Sequence, residues 1–163
     1  MESFSYYDLG RIEYGEALDL QTNSFQSLID AKRKGLEEKN CLYFCEHNPV
    51  LTLGKSGKET NLLVPELLLK EKGVSLFHID RGGDITYHGP GQITGYPVFD
   101  LDGFGMGLKA YIHTLEDIVI EFLLLYGVKA ERLDGATGVW LDSKVPGAAR
   151  KICAIGVKSS HFV

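Results

Sequence analysis

Arg81-Gly82-Gly83-Asp84-Ile85-Thr86-Tyr87-His88-Gly89-Pro90-Gly91-Gln92 lies between two strand-like runs, Val74–Ile79 and Ile93–Phe99. The adjacent glycines Gly82 and Gly83 let the backbone take positive φ and approach a ligand closely. Thr86-Tyr87-His88 resumes a strand pattern, and Gly89-Pro90-Gly91 makes a second tight turn. Backbone N–H groups at such turns can form an oxyanion site. The stretch is not a dinucleotide fingerprint, because a strand and not a helix follows it, and no Gly-Lys-Ser/Thr closes it as a phosphate loop. Read on its residues alone, it is either a ligand loop or a pair of hairpin turns. His88 is then a general base or a structural imidazole. Asp84 caps a turn or acts as an acid, and Arg81 binds an anion or braces the loop.

Outward from this stretch the chain alternates unevenly between strands and helices. Tyr14, Ala17, Leu18, Phe25, Leu28 and Ile29 fall near helical spacing and predict a helix from about Tyr14 to Lys39. Strands are expected at Cys41–Glu46 and Val50–Leu53, with a turn at Asn48-Pro49 and a polar loop at Lys55–Lys58. Pro65 opens a short helix, Glu66–Lys72, and Gly73 stops it, the usual proline-first, glycine-last arrangement. A second long helix is predicted over Met106–Tyr126, with Leu108, Tyr111, Ile112, Leu115, Ile118, Val119 and Phe122 as its core stripe. The remainder is β-like: Val128–Leu133, Gly138–Leu141 and Lys151–Lys158. Strands outnumber helices without strict alternation. The expected class is α+β, a mixed and mostly antiparallel sheet packed by two long helices.

The 163 residues, 44% hydrophobic, suffice for one core-bearing domain spanning 1–163. A net charge of −5 argues against a general nucleic-acid binder, which needs a basic face. No apolar run is long enough to span a bilayer, and the N-terminal residues lack a basic-then-apolar signal. A cytoplasmic location is therefore expected. Cys41, Cys45 and Cys153 are odd in number, which argues against a disulfide framework, and no second Cys pair suggests zinc.

Arg81–Gln92, followed by Tyr96-Pro97, resembles the signature of the octanoyltransferase family of lipoate biosynthesis: Arg-Gly-Gly-Asp/Glu/Gln-x-Thr-Phe/Tyr-His-Gly-Pro-Gly-Gln and then Tyr-Pro. Further family-like segments stand in the same order across the chain: Asp8-Leu9-Gly10 with Tyr14, Glu46–Gly54, Gly138-Val139-Trp140 and Lys151–Val157. The resemblance implies a catalytic domain of the biotin/lipoate protein ligase type. It implies transfer of octanoyl, or lipoyl, from an acyl-carrier-protein thioester to a lysine, with an acyl-cysteine intermediate and no cofactor. The implied acceptors are the lipoyl domains of 2-oxoacid dehydrogenases and the glycine cleavage H protein. No membrane or nucleic-acid partner is implied. Lys151 takes the place of the family's catalytic lysine, which lowers the pKa of the nucleophilic cysteine. Arg81, Gly82, Gly83, Asp84, Ile85, Thr86, Tyr87 and His88, with Ala154, Ile155 and Gly156, take the place of residues lining the acyl pocket.

One departure matters. The family's cysteine lies in a later Pro-Cys-Gly segment that these 163 residues do not contain. Cys153 stands two residues from Lys151, on the same side of a strand, and is the one substitute nucleophile. The chain as given is expected to be a fragment missing its C-terminal part and to lack transferase activity. Two other readings stand beside this one. The first is an ATP-dependent lipoate or octanoate ligase. The second is a non-catalytic module that binds lipoyl domains or acyl carriers.

Overall fold

A computed structural model describes residues 3–163. They form two compact units: residues up to Asp100 together with Lys158–Val163, and Leu101–Val157. The α+β class holds, with parallel and antiparallel pairings mixed. The strands divide among three three-stranded sheets instead of joining one.

The first unit opens on a strand, β1 (Phe4–Ile12), that is not among the elements expected from the sequence. Its register breaks between Asp8 and Arg11, where the Asp8 carboxylate accepts the Gly10 N–H at 2.9 Å. The Asp8-Leu9-Gly10 motif is thus a bulge closed by a side-chain turn. Helix α1 (Tyr14–Lys34) follows and ends five residues before the expected Lys39. Gly35, left-handed, donates its N–H to Lys32 O, and Leu36 donates to Ala31 O. This Schellman arrangement satisfies the last carbonyls and stops the helix.

Strand β2 (Asn40–His47) pairs in parallel with β1 and antiparallel with β6 (Thr94–Val98). Because β6 is an edge, Pro97 sits in it without breaking a ladder bond on both sides. Leu28 and Ile29 of α1 pack on Tyr43 and Val98 of this sheet, together with Val163. Each such side chain contributes about 1.5–3 kcal/mol of burial. A second sheet takes β3 (Val50–Leu53) as its centre, with β4 (Ser75–His78) parallel and β5 (Ile85–His88) antiparallel. A short helix, α2 (Glu66–Glu71), leads into β4.

In the second unit, α3 (Leu108–Leu125) packs against β8 (Ala136–Leu141), which pairs antiparallel with both β7 (Glu131–Leu133) and β9 (Arg150–Cys153). The expected core stripe of α3 is only partly realised. Tyr111 is buried, but Ile118 and Phe122 are half exposed, and the other buried helix position is a carboxylate, Glu116. The strand predicted to run to Lys158 ends at Cys153. The next register position on β8 is Gly138, whose N–H turns to the Glu116 carboxylate, so the ladder stops there.

Candidate active site

The expected ligand loop is built by an embrace between two backbones of the first unit. Gly54, Lys55 and Ser56 donate their N–H groups to Asp84 O, Arg81 O and Gly83 O at 3.0, 3.0 and 3.1 Å. A Cβ at position 54 would lie 2.5 Å from Gly83 O and 3.0 Å from Arg81 O, so only glycine admits this approach. The guanidinium of Arg81 turns inward: Nη2 donates to Thr52 Oγ1 (2.8 Å), Thr52 O (3.0 Å) and Asp84 O (3.2 Å), and Nη1 donates to Gly82 O (3.0 Å). Of the two sequence readings of Arg81, loop bracing is the one its contacts satisfy. The Asp84 carboxylate accepts the Asn61 amide at 2.6 Å, which ties the loop to the 59–61 turn. Ile85 and Thr86 are half buried in β5, and Tyr87 is exposed.

The second turn, Gly89–Gln92, closes with Gln92 N–H to Gly89 O at 3.1 Å. Pro90 and a left-handed Gly91 occupy its centre. Glu46 Oε2 accepts the Gly91 N–H at 2.8 Å and pins the turn to β2. That bond, more than the nearby Arg11, holds the Glu46 carboxyl below its usual pKa.

His88 leaves this turn pointing into an aromatic cluster. Its Nδ1 lies 2.6 Å from Gln92 Oε1, while Gln92 Nε2 donates to Tyr87 O. An amide oxygen only accepts, so His88 carries its proton on Nδ1 and offers Nε2 as the basic atom. Burial lowers the His88 pKa, as do His47 and Arg81, against the opposing pull of Gln92. The Tyr14 ring stacks on His88 at 6.1 Å, and His47 meets both rings edge-on at 5.2 and 5.9 Å. His47 is fully buried: Nδ1 donates to Ile12 O (3.0 Å) and Nε2 faces the Tyr96 hydroxyl (2.7 Å). Tyr14, His47 and Tyr96 lie in segments that carry the family resemblance, but none of them is among the site residues expected from the sequence. The available signal was strand alternation, which puts Cys45 and His47 on one face of β2.

A pH effect follows from the His88 shift. The unfolded chain binds a proton at the ordinary histidine value and the folded chain only below it, so stability falls as pH drops through that window. The urea midpoint is expected to fall further between about pH 7.5 and about pH 5.5 in the wild type than in His88→Gln. Equal falls would assign the effect to another group.

Lys151 lies in the second unit, on β9 opposite Trp140 of β8. It is exposed, and its ammonium stands 4.5 Å from the centre of the Trp140 ring. Its Cδ and Cε pass over Gly138. Cys153 is on the same strand, half buried. Burial raises its thiol pKa, Glu116 raises it further, and Lys151 pulls the other way. Ala154 and Gly156 are exposed and Ile155 is half buried, in a segment without regular structure. Of the other thiols, Cys45 is buried beside His47 and pushed up to about 11, chiefly by burial. The Cys41 thiol donates to the Lys39 carbonyl at 3.5 Å and packs against the core cluster of the first unit.

Residues 13–163 match the family model described as the lipoyl protein ligase A/B catalytic domain. An octanoyltransferase of Parabacteroides distasonis is 69% identical over the whole chain, which covers 74% of that protein. One from Porphyromonas gingivalis is 56% identical over 98% of the chain and 32% of its own length. One from Bacteroides fragilis is 56% identical over 93% of the chain and 68% of its own length. Among solved structures, a bi-partite lipoate protein ligase of Thermoplasma acidophilum superposes with a TM-score of 0.60 at 17% identity, covering 93% of this chain. A lipoate-protein ligase A bound with ATP gives 0.53 at 17% identity over 82% of this chain. The chain spans 54% and 51% of those two structures, about half of each. At these identities they bear on the fold alone. Among the described residues, no helix is long and apolar enough to cross a membrane.

Proposed function

The chain belongs to the lipoyl protein ligase A/B catalytic-domain family, and on that footing we propose that it serves octanoyl transfer from an acyl-carrier thioester to a lysine of a lipoyl-domain protein. In the first step an enzyme thiolate adds to the octanoyl carbonyl. The bond to the carrier sulfur breaks, and that sulfur takes up the proton released by the enzyme thiol. In the second step the neutral amine of the acceptor lysine attacks the enzyme thioester. The amide forms, the carbon–sulfur bond breaks, and the amine proton returns to the departing sulfur. Both steps exchange one acyl bond for another, so neither requires ATP.

The observation that carries this reading is the setting of Lys151, whose cation rests on a tryptophan face and whose stem passes beside Gly138. Among the described residues no carboxylate pairs with it. A cation held in that way is available to stabilise a thiolate and to carry the proton between thiol and amine. Of the residues that the resemblance implies for substrate binding, Arg81–His88 form a loop of the first unit that Arg81 sets from within, and Ala154, Ile155 and Gly156 directly follow Lys151 in the second.

Cys45 and Cys153 are poorly suited to be the nucleophile. With its pKa at about 11, up from 9.0, Cys45 has about a hundredfold less thiolate near neutral pH than a free thiol. Cys153 is raised as well, and Lys151 only partly offsets this. Incubated with octanoyl-acyl carrier protein, the 163-residue chain is expected to show no added octanoyl mass. An adduct lost in Cys153→Ser would assign the chemistry to Cys153 instead. Isotope exchange between ATP and pyrophosphate is expected to be absent, and its presence would replace transfer with ligation. Alkylation of native protein at pH about 8 should spare Cys45, at least a hundredfold slower than in urea.

A further inference from the structure

We infer that Glu116 is a positioning residue for Lys151, acting through the backbone of Gly138. In its mechanistic consequence this rests on the reading of Lys151 as catalytic. Glu116 interrupts the apolar run of α3 and is only 3% exposed. A carboxylate so placed is costly unless its oxygens are satisfied, and a simple helix-to-sheet anchor would be made with an apolar side chain. Oε1 accepts the Gly138 N–H at 2.8 Å, and Oε2 accepts Arg132 Nε at 2.7 Å, with His113 Nδ1 at 3.3 Å. Arg132 is itself held by Asp117 (2.6 Å) and by the His113 carbonyl (2.7 Å), so the Glu116 carboxylate is fixed from both sides.

The held strand residue is the one under the lysine. Gly138 has φ +112, and a Cβ there would meet Cys153 O at 2.5 Å and the Lys151 Cδ and Cε at 3.5 Å. The stem of Lys151 therefore passes in van der Waals contact beside Gly138, and its ammonium reaches the ring of Trp140 two residues on. The β8–β9 register shifts between Val139 and Trp140, so the ladder alone does not set this part of β8. On its other side β8 pairs with β7 at Ala136 and Trp140, and the Gly138 N–H between them is held by Glu116. That both Glu116 and Lys151 act on the Cys153 thiol, in opposite directions, agrees with their closeness.

Trp140 is the single tryptophan of the chain, so its emission reports directly on the lysine above it. Lys151→Met gives the emission of the uncovered ring. Glu116→Ala and Glu116→Asp, the latter one methylene too short to hold Gly138 and Arg132 together, are expected to shift emission toward that value. Far-ultraviolet circular dichroism should stay native. Glu116→Gln keeps an acceptor for Gly138 and is expected to stay near wild type. If Glu116→Ala does not fold, Glu116→Asp carries the test. Wild-type emission in the folded Ala or Asp variant overturns the inference, and so does unchanged emission in Lys151→Met. In the protein expressed from its whole reading frame, kcat for octanoyl transfer should fall at least tenfold in Glu116→Asp, with KM for the acyl carrier unchanged and partial recovery in Glu116→Gln. A shifted emission with unaltered transfer would leave Glu116 as the positioner of Lys151 and remove Lys151 from catalysis. Lost transfer with unshifted emission would remove Glu116 as its positioner.

Discussion

Replacing Lys151 with methionine in the protein expressed from its whole reading frame is expected to lower octanoyl transfer by about 10²–10⁴-fold, the range of a lost acid–base group. The fold should be untouched, because Lys151 is exposed and its loss removes one cation–π contact worth about 0.5–1 kcal/mol. Lys151→Arg separates charge from proton transfer. Arginine keeps the cation over Trp140 but does not release a proton at any accessible pH. If Lys151 only stabilised a thiolate, the arginine variant would retain most of the rate. Because the amine attack in the second step also needs a proton carried to sulfur, the arginine variant is expected to stall as the acyl-enzyme. Intact mass would show octanoyl accumulating on it and no amide forming on a lipoyl domain. A Lys151→Met enzyme that keeps more than a tenth of the rate would end the catalytic reading.

Gly54→Ala is expected to be among the most damaging single-methyl changes in the chain. Its Cβ would come 2.5 Å from Gly83 O and 3.0 Å from Arg81 O. Neither atom is free to retreat, because each accepts a backbone N–H from the same loop, Ser56 and Lys55 respectively. The Arg81 guanidinium, itself 3.0 Å from the added carbon, is locked to Thr52. Overpacking against mobile side chains costs about 1–3 kcal/mol, and a rigid backbone puts this case at or above the upper end. Urea unfolding should show a loss of about 3 kcal/mol, with the Arg81–Asp84 loop displaced. A variant as stable as wild type would mean that the loop is looser than its hydrogen bonds indicate.

Both predictions start from motifs visible in the chain, but they depend on contacts that were not. Arg81 could be named from its place in the glycine-rich run, yet whether its donors face a ligand or the loop rested on Thr52, twenty-nine residues earlier. His47 stood in a family-like segment, and only the pairing of β2 with β6 put Tyr96 against it. Glu116 stands in the sequence as an acid between the apolar positions Leu115 and Ile118. No local pattern announces that a strand N–H twenty-two residues later will require it.

By itself the sequence determined the α+β class, the family resemblance through Arg81–Gln92, and most element boundaries. These are local matters: Gly73 stops a helix within one turn, and Gly89-Pro90-Gly91 makes its turn from its own dihedral preferences. Tertiary structure alone decided the division of the strands into three sheets, the burial of Glu116 and the inward turn of Arg81. The physical reason is that strand partners and buried polar groups are settled by which distant donors and acceptors remain unsatisfied when the chain packs. That condition is written in no short stretch of residues.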